Sequence, residues 1–271
     1  MHCKINNFSM HSKQEKLDSF GRLLDTMDAL REKCPWNAEQ TMESIRHMTE
    51  EEVYELSDAV IRDDSQDVCK ELGDLLYHIV FYARMAQEKG LFDIADSLDK
   101  VVEKMVFRHP HVFSPDGRKI TAKEIADNWE LVKAKEKEGN KTVLAGIPDT
   151  MPAMLRALSM QEKARGVGFD WEKREDVWDK VHEELGEAEE ACSEGERTHM
   201  EEEFGDLLFA VLNACRLYDI DPEVALGGSC SKFRRRFSYL EANTLARGRK
   251  LKDMTLAQMD AIWDEGKAKG L

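Results

Sequence analysis

Proline and glycine are scarce in this chain, at 6 and 16 of 271 residues. No segment alternates apolar and polar residues as a half-buried strand would, so a sheet-based fold has no support. The abundance of Glu, Lys, Leu, Ala and Met favours helices instead. Cysteines are few and scattered: Cys3, Cys34, Cys69, Cys192, Cys215 and Cys230 include no C-x-x-C pair. That argues against a disulfide scaffold and for a reduced, cytoplasmic protein. Long apolar runs are missing, and the first residues have no apolar signal core, so no membrane association is expected. Cations are outnumbered, 39 Lys and Arg against 54 Asp and Glu, for a net charge of −15. A polyanion would be repelled, which disfavours general nucleic-acid binding. A small anion can still be held by a few cations and a metal.

What the chain does have is acid in a repeated pattern. Glu51-Glu52-x-x-Glu55 is followed by Glu71-x-x-Asp74, and Glu183-Glu184-x-x-Glu187 by Glu203-x-x-Asp206. In both copies 16 positions separate the third acid from the fourth. Residues three or four apart share a helix face, so each copy predicts two helices turning carboxylates toward one another. Glu71-Leu-Gly-Asp-Leu-Leu aligns with Glu203-Phe-Gly-Asp-Leu-Leu at an offset of 132. Lys104 and Arg108 match Lys232 and Arg236, and Trp129 and Lys133 match Trp263 and Lys267. The chain is a tandem duplication.

The expected organisation is all-α: a loose tail over 1–13, a helical unit over 14–140, a linker over 141–152 and a second helical unit over 153–271. The charged run 135–138, then Asn140, Gly146, Pro148 and Pro152, marks the junction. Helical spacing predicts helices over Leu17–Arg31, about Met42–Ile61, and from about Asp67. Val53, Leu56 and Val60, and then Leu72, Leu75, Leu76, Ile79 and Val80, form the expected buried stripes beside the acids.

Carboxylates brought together without a cation repel one another, by about 4 kcal/mol per pair at 4 Å and an effective dielectric near 20. One acidic helix face alone would be ordinary solvated surface. Here the acids flank the apolar stripe and the pattern recurs, which points to a metal site. Oxygen ligands without Cys or paired His suit Mg²⁺, with Mn²⁺ as a substitute. A di-iron bundle fits poorly, because the one Glu-x-x-His unit, Glu196 and His199, falls in a predicted loop. His78 reads as a satisfied or solvent-facing histidine. Lys180 lies one turn before Glu183, where the first half has Met48.

These residues resemble a known family. E-E-x-x-E followed by E-x-x-D is similar to the signature of the all-α nucleoside triphosphate pyrophosphohydrolases. Cys34-Pro-Trp36, Arg108-His-Pro-His-Val-Phe113, Gly168-Phe-Asp-Trp171 and Lys232-Phe to Arg236-Phe237 resemble the tandem MazG proteins in particular. The resemblance implies hydrolysis of nucleoside triphosphates to monophosphate and pyrophosphate with Mg²⁺, in a homodimer whose sites use helices of both chains. It implies metal ligands at Glu184, Glu187, Glu203 and Asp206, with Glu183 and Lys180 catalytic. It implies substrate contacts from Lys232, Arg236, Trp263 and Lys267, and a catalytic second unit. Glu51, Glu52, Glu55, Glu71 and Asp74 are a candidate second metal site. A non-catalytic nucleotide- or metal-binding regulator on the same fold is the alternative.

Overall fold

A computed structural model of the chain describes residues 10–114, 120–133, 142–246, 248 and 250–271. Among them there is no strand, and the chain divides into two compact units, Met1–Arg118 and Lys119–Leu271. The first unit contains α1 (Lys13–Lys33), α2 (Pro35–Glu39), α3 (Arg46–Ile61), α4 (Ser65–Glu88), α5 (Ile94–Arg108) and α6 (Pro110–Phe113). The second contains α7 (Ala122–Lys133), α8 (Ala153–Arg165), α9 (Val177–Glu194), α10 (Arg197–Leu217), α11 (Pro222–Ala246) and α12 (Leu256–Ala268). The expected tail over 1–13 falls mostly outside the described residues, as does the charged run of the junction. Helix α7 groups with the second unit, whereas the sequence junction lies at 141–152.

The helices start where side chains can satisfy free amides. Ser12 and Glu15 form a reciprocal cap on α1, and Asp64 accepts from Gln66 and Asp67 at the start of α4. Glu196, expected in a loop, caps α10 by accepting from the His199 amide at 2.7 Å, so His199 stands on the first turn of a helix. The turn between α3 and α4 passes through Asp63 at φ 54°, and that between α9 and α10 through Gly195 at φ 77°. These left-handed residues fold each pair into a tight hairpin, α3 on α4 and α9 on α10.

The core of the first unit joins Met27, Ile45, Val80, Phe81 and Met85, with Phe20, Leu23, Tyr77 and Met48 packed against them. Burying each such large apolar side chain contributes about 1.5–3 kcal/mol. In the second unit α9 and α10 meet through buried Ala188, Ala191, Ala210 and Ala214, small residues that let backbones approach closely.

One expectation is overturned. The stripes next to the acids are not buried within this chain: Val53, Val60, Leu72, Leu76 and Ile79 are exposed, while Ala59, Val80 and Phe81 face the core. Each hairpin has two apolar faces, and the α1 side covers only one of them. The bare face recurs in the second unit at Leu185, Phe204, Leu208 and Val211, the positions 132 residues after Val53, Leu72, Leu76 and Ile79.

Candidate metal centre and adjoining cavity

Each hairpin brings its acids together across the two helices. Oxygens of Glu184 and Glu187 on α9 and Glu203 on α10 lie within 4.8 Å of one another, and so do those of Glu52 and Glu55 on α3 and Glu71 on α4. Glu51 and Asp74 are not in that first-unit group. Asp206 instead shares a cavity wall with Glu184.

In the second unit Lys180 Nζ lies 2.7 Å from Glu184 Oε1 and 2.9 Å from Glu183 Oε1. Those two hydrogen bonds raise the lysine pKa far above its usual value. The first unit was expected to lack such a cation because Met48 replaces it, and Met48 does pack on the core. A lysine arrives from the other helix: Lys70 Nζ is 2.7 Å from Glu71 Oε1, 3.9 Å from Asp74 and 4.0 Å from Glu55. Sequence reasoning also missed His199, which sits between Glu194 (3.0 Å) and Glu203 (3.2 Å) and is held protonated to higher pH, chiefly by Glu194. Its spacing of four from Glu203 was the available signal. His78 is buried and hydrogen-bonds Thr49 Oγ1 at 2.8 Å, so it is the satisfied histidine expected.

The carboxylates strain against one another. Burial, then Glu184, Glu203 and Glu183, pushes the Glu187 pKa above the ordinary 4.5, and burial, then Asp74, Glu55 and Glu71, does the same to Glu52. A raised carboxyl pKa means the folded state holds a proton that the unfolded chain has lost. The metal-free protein therefore loses stability as pH rises from 4.5 through the raised values. A cation must displace those protons, so Mg²⁺ affinity, measured by calorimetry, should weaken progressively as pH falls from 7 to 5. An affinity flat across that range would show the carboxylates already fully ionised.

The donor set fits a hard cation. All the ligand atoms are carboxylate oxygens, and Glu71 Oε2 is buried with no hydrogen-bond donor, a group that a cation would satisfy.

A cavity of about 660 Å³ opens beside the second cluster. Lys180, Glu184 and Asp206 line it together with Met160, Trp171 and Phe209. Its polar groups include Gln161, Asn213 and Arg216, the last ion-paired to Asp170 at 3.1 Å. The duplication allows a comparison. Setting Arg22 on Arg156 places Met27 opposite Gln161 and Asp28 opposite Glu162, and the offset of 132 places Phe81 opposite Asn213. The ionic contact of Arg84 with Asp28 recurs as Arg216 with Glu162 at 3.9 Å. In the first unit Met27 and Phe81 are each 1% exposed and belong to one packed core.

The four residues expected to contact substrate lie on α11 and α12 and line no part of this cavity. Arg236 donates to the Leu271 carbonyl at 2.7 Å and stands over the Trp263 ring, which packs against Phe233 with centroids 5.2 Å apart. Lys267 pairs with Asp264 at 3.0 Å, and Lys232 follows on the exposed face of α11.

Known proteins share this arrangement. The model of the MazG nucleotide pyrophosphohydrolase domain matches twice, at residues 40–113 and 173–240, and each match contains one hairpin with its acids. A nucleoside triphosphate pyrophosphohydrolase of Escherichia coli K12 is 39% identical over 93% of this chain and 98% of its own length. The nucleoside triphosphate pyrophosphohydrolase/pyrophosphatase MazG of Thermotoga maritima is 40% identical over 92% of this chain and 95% of its own. A solved MazG-related protein from the same organism aligns with 42% of this chain and 99% of that one, at 31% identity and a TM-score of 0.38. The chain belongs to the MazG family and carries its domain in duplicate.

Proposed function

We propose that the second unit is a nucleoside triphosphate pyrophosphohydrolase site that works with Mg²⁺ and cleaves between the α- and β-phosphates. The observation that carries this is the cavity, which places Lys180, Glu184 and Asp206 on the same wall system as an apolar, aromatic compartment. Charge for phosphates and cover for a base meet in one space of ligand size. Glu184, Glu187, Glu203 and Asp206 would hold the ion. When bound, Mg²⁺ supplies Lewis-acid polarisation of a phosphoryl oxygen and acidifies water. Mn²⁺ is the expected substitute.

The chain's own groups supply the rest. Glu183, next to the ligands and shared with Lys180, orients the attacking water and takes its proton. Lys180 holds Glu183 and Glu184 together before the ion arrives and then faces phosphate oxygen. Lys232, Arg236 and Lys267 neutralise the departing pyrophosphate. They do so from a second copy of the chain, since none of them lines this chain's cavity. The bare apolar face repeated on both hairpins supports that assembly, because contiguous exposed apolar surface marks an interface. Light scattering should accordingly give twice the 31.1 kDa chain mass, and a monomer at micromolar concentration would remove the basis for a shared site.

The first unit has the acids for a cation, yet Met27 and Phe81 occupy the positions that Gln161 and Asn213 hold in the second. A metal-binding, non-catalytic role is proposed for it. With Mg²⁺ and a panel of nucleoside triphosphates, the protein should release pyrophosphate and monophosphate. Release of orthophosphate alone would sink the α–β assignment.

A further inference from the structure

The cavity contains a polar group that nothing in the chain satisfies. Gln161 on α8 is 6% exposed; its Nε2 donates to the Phe209 carbonyl at 2.9 Å, while its Oε1 is buried with no partner. Only the amide nitrogen can donate to a carbonyl, so the side chain cannot flip, and the oxygen is held as an acceptor. A buried acceptor without a donor costs about 1–3 kcal/mol, which a native site keeps only for a reason. Asn213, one turn along α10 from Phe209, is held in the opposite sense. Its Oδ1 accepts from Arg216 Nε at 3.0 Å and Nη2 at 2.7 Å, which leaves Nδ2 as the donor. Arg216 is itself clamped by Asp170. The walls around the pair are Met160, Trp171 and Phe209, apolar and broad enough to cover a flat ring.

We infer that this compartment binds the nucleobase, with Gln161 Oε1 accepting from an N–H on the base's pairing edge and Asn213 Nδ2 donating to the acceptor beside it. The inference rests on the nucleotide reading of the second unit and adds to it what is recognised. A fixed acceptor beside a fixed donor matches the pairing edge of every common base. Uracil and thymine offer N3–H beside a carbonyl, guanine N1–H beside O6, and adenine and cytosine an amino group beside a ring nitrogen. The pocket therefore reads an intact pairing edge and not one base. Methylation of that edge nitrogen removes the donor and places a methyl group against a buried oxygen, which should be rejected.

The test compares UTP with 3-methyl-UTP and GTP with 1-methyl-GTP, on the wild type and on Gln161→Met. In the wild type, methylation should lower kcat/KM by about tenfold or more, mainly through KM, as expected when a buried polar group loses its partner. In Gln161→Met the methylated and unmethylated substrates should come within about twofold of each other. Equal use of both forms by the wild type overturns the inference, whether or not the variant folds. So does an undiminished preference in a folded Gln161→Met. Binding of UMP and 3-methyl-UMP, followed by tryptophan fluorescence, gives the same ratio without turnover. Absence of pyrophosphate from every substrate would thus defeat the catalytic reading while binding still decides the pocket.

Discussion

Glu184→Gln should abolish pyrophosphate release, lowering kcat/KM by about 10²–10³-fold or more, the scale of losing one fixed electrostatic group in a catalytic site. Glu184 is buried against Lys180, touches the cavity and belongs to the carboxylate group, so three roles converge on one side chain. Glutamine keeps the shape and removes the charge. The ion loses a ligand, and Lys180 loses its closest partner. The fold should survive, because Gln is a good helix former in mid-helix α9. Glu52→Gln at the matching position of the first unit should retain most of the activity, since the Met27–Phe81 core occupies the compartment there. Both variants should bind Mg²⁺ more weakly than the wild type in a thermal-shift titration. If Glu52→Gln is the inactive one, catalysis lies in the first unit and the cavity argument is wrong.

Much of this architecture can be read from the residues, for physical reasons that also explain the gaps. The duplication, the hairpins and the facing acids follow from spacing, because helix period and hairpin length are local properties. Which face each hairpin buries does not follow. Leu72, Leu76 and Ile79 look like core by period, but a period cannot say whether the same chain or another molecule covers the stripe. The α9–α10 seam is made of alanines, whose weak hydrophobicity leaves little trace in a pattern. Lys70 escaped notice because residues adjacent in sequence do not share a helix face, yet a long flexible stem reaches across to Glu55. Gln161 carries no motif at all. Only its position opposite a buried methionine, and an oxygen without a partner, set it apart. Trp263, a candidate for stacking on a base, packs with Phe233 and Arg236 instead, away from the cavity.

The duplication also permits a direct exchange of one unit's interior into the other. Gln161→Met with Asn213→Phe gives the second unit the pair found at Met27 and Phe81. The new side chains should fill part of the 660 Å³ space and remove a buried, unpaired oxygen. Filling a void and deleting an unsatisfied group both favour folding, so the double variant should melt no lower than the wild type. The carboxylates on α9 and α10 are untouched, so Mg²⁺ should stabilise it as before. Catalysis should nonetheless collapse, with kcat/KM down by about 10²-fold or more on every nucleotide, since binding worth about 3 kcal/mol is lost with the compartment. Intact Mg²⁺ response with lost turnover would separate the metal centre from the cavity as two parts of one site. Near-normal turnover would show that the substrate never enters the cavity and that the carboxylates work from their solvent side.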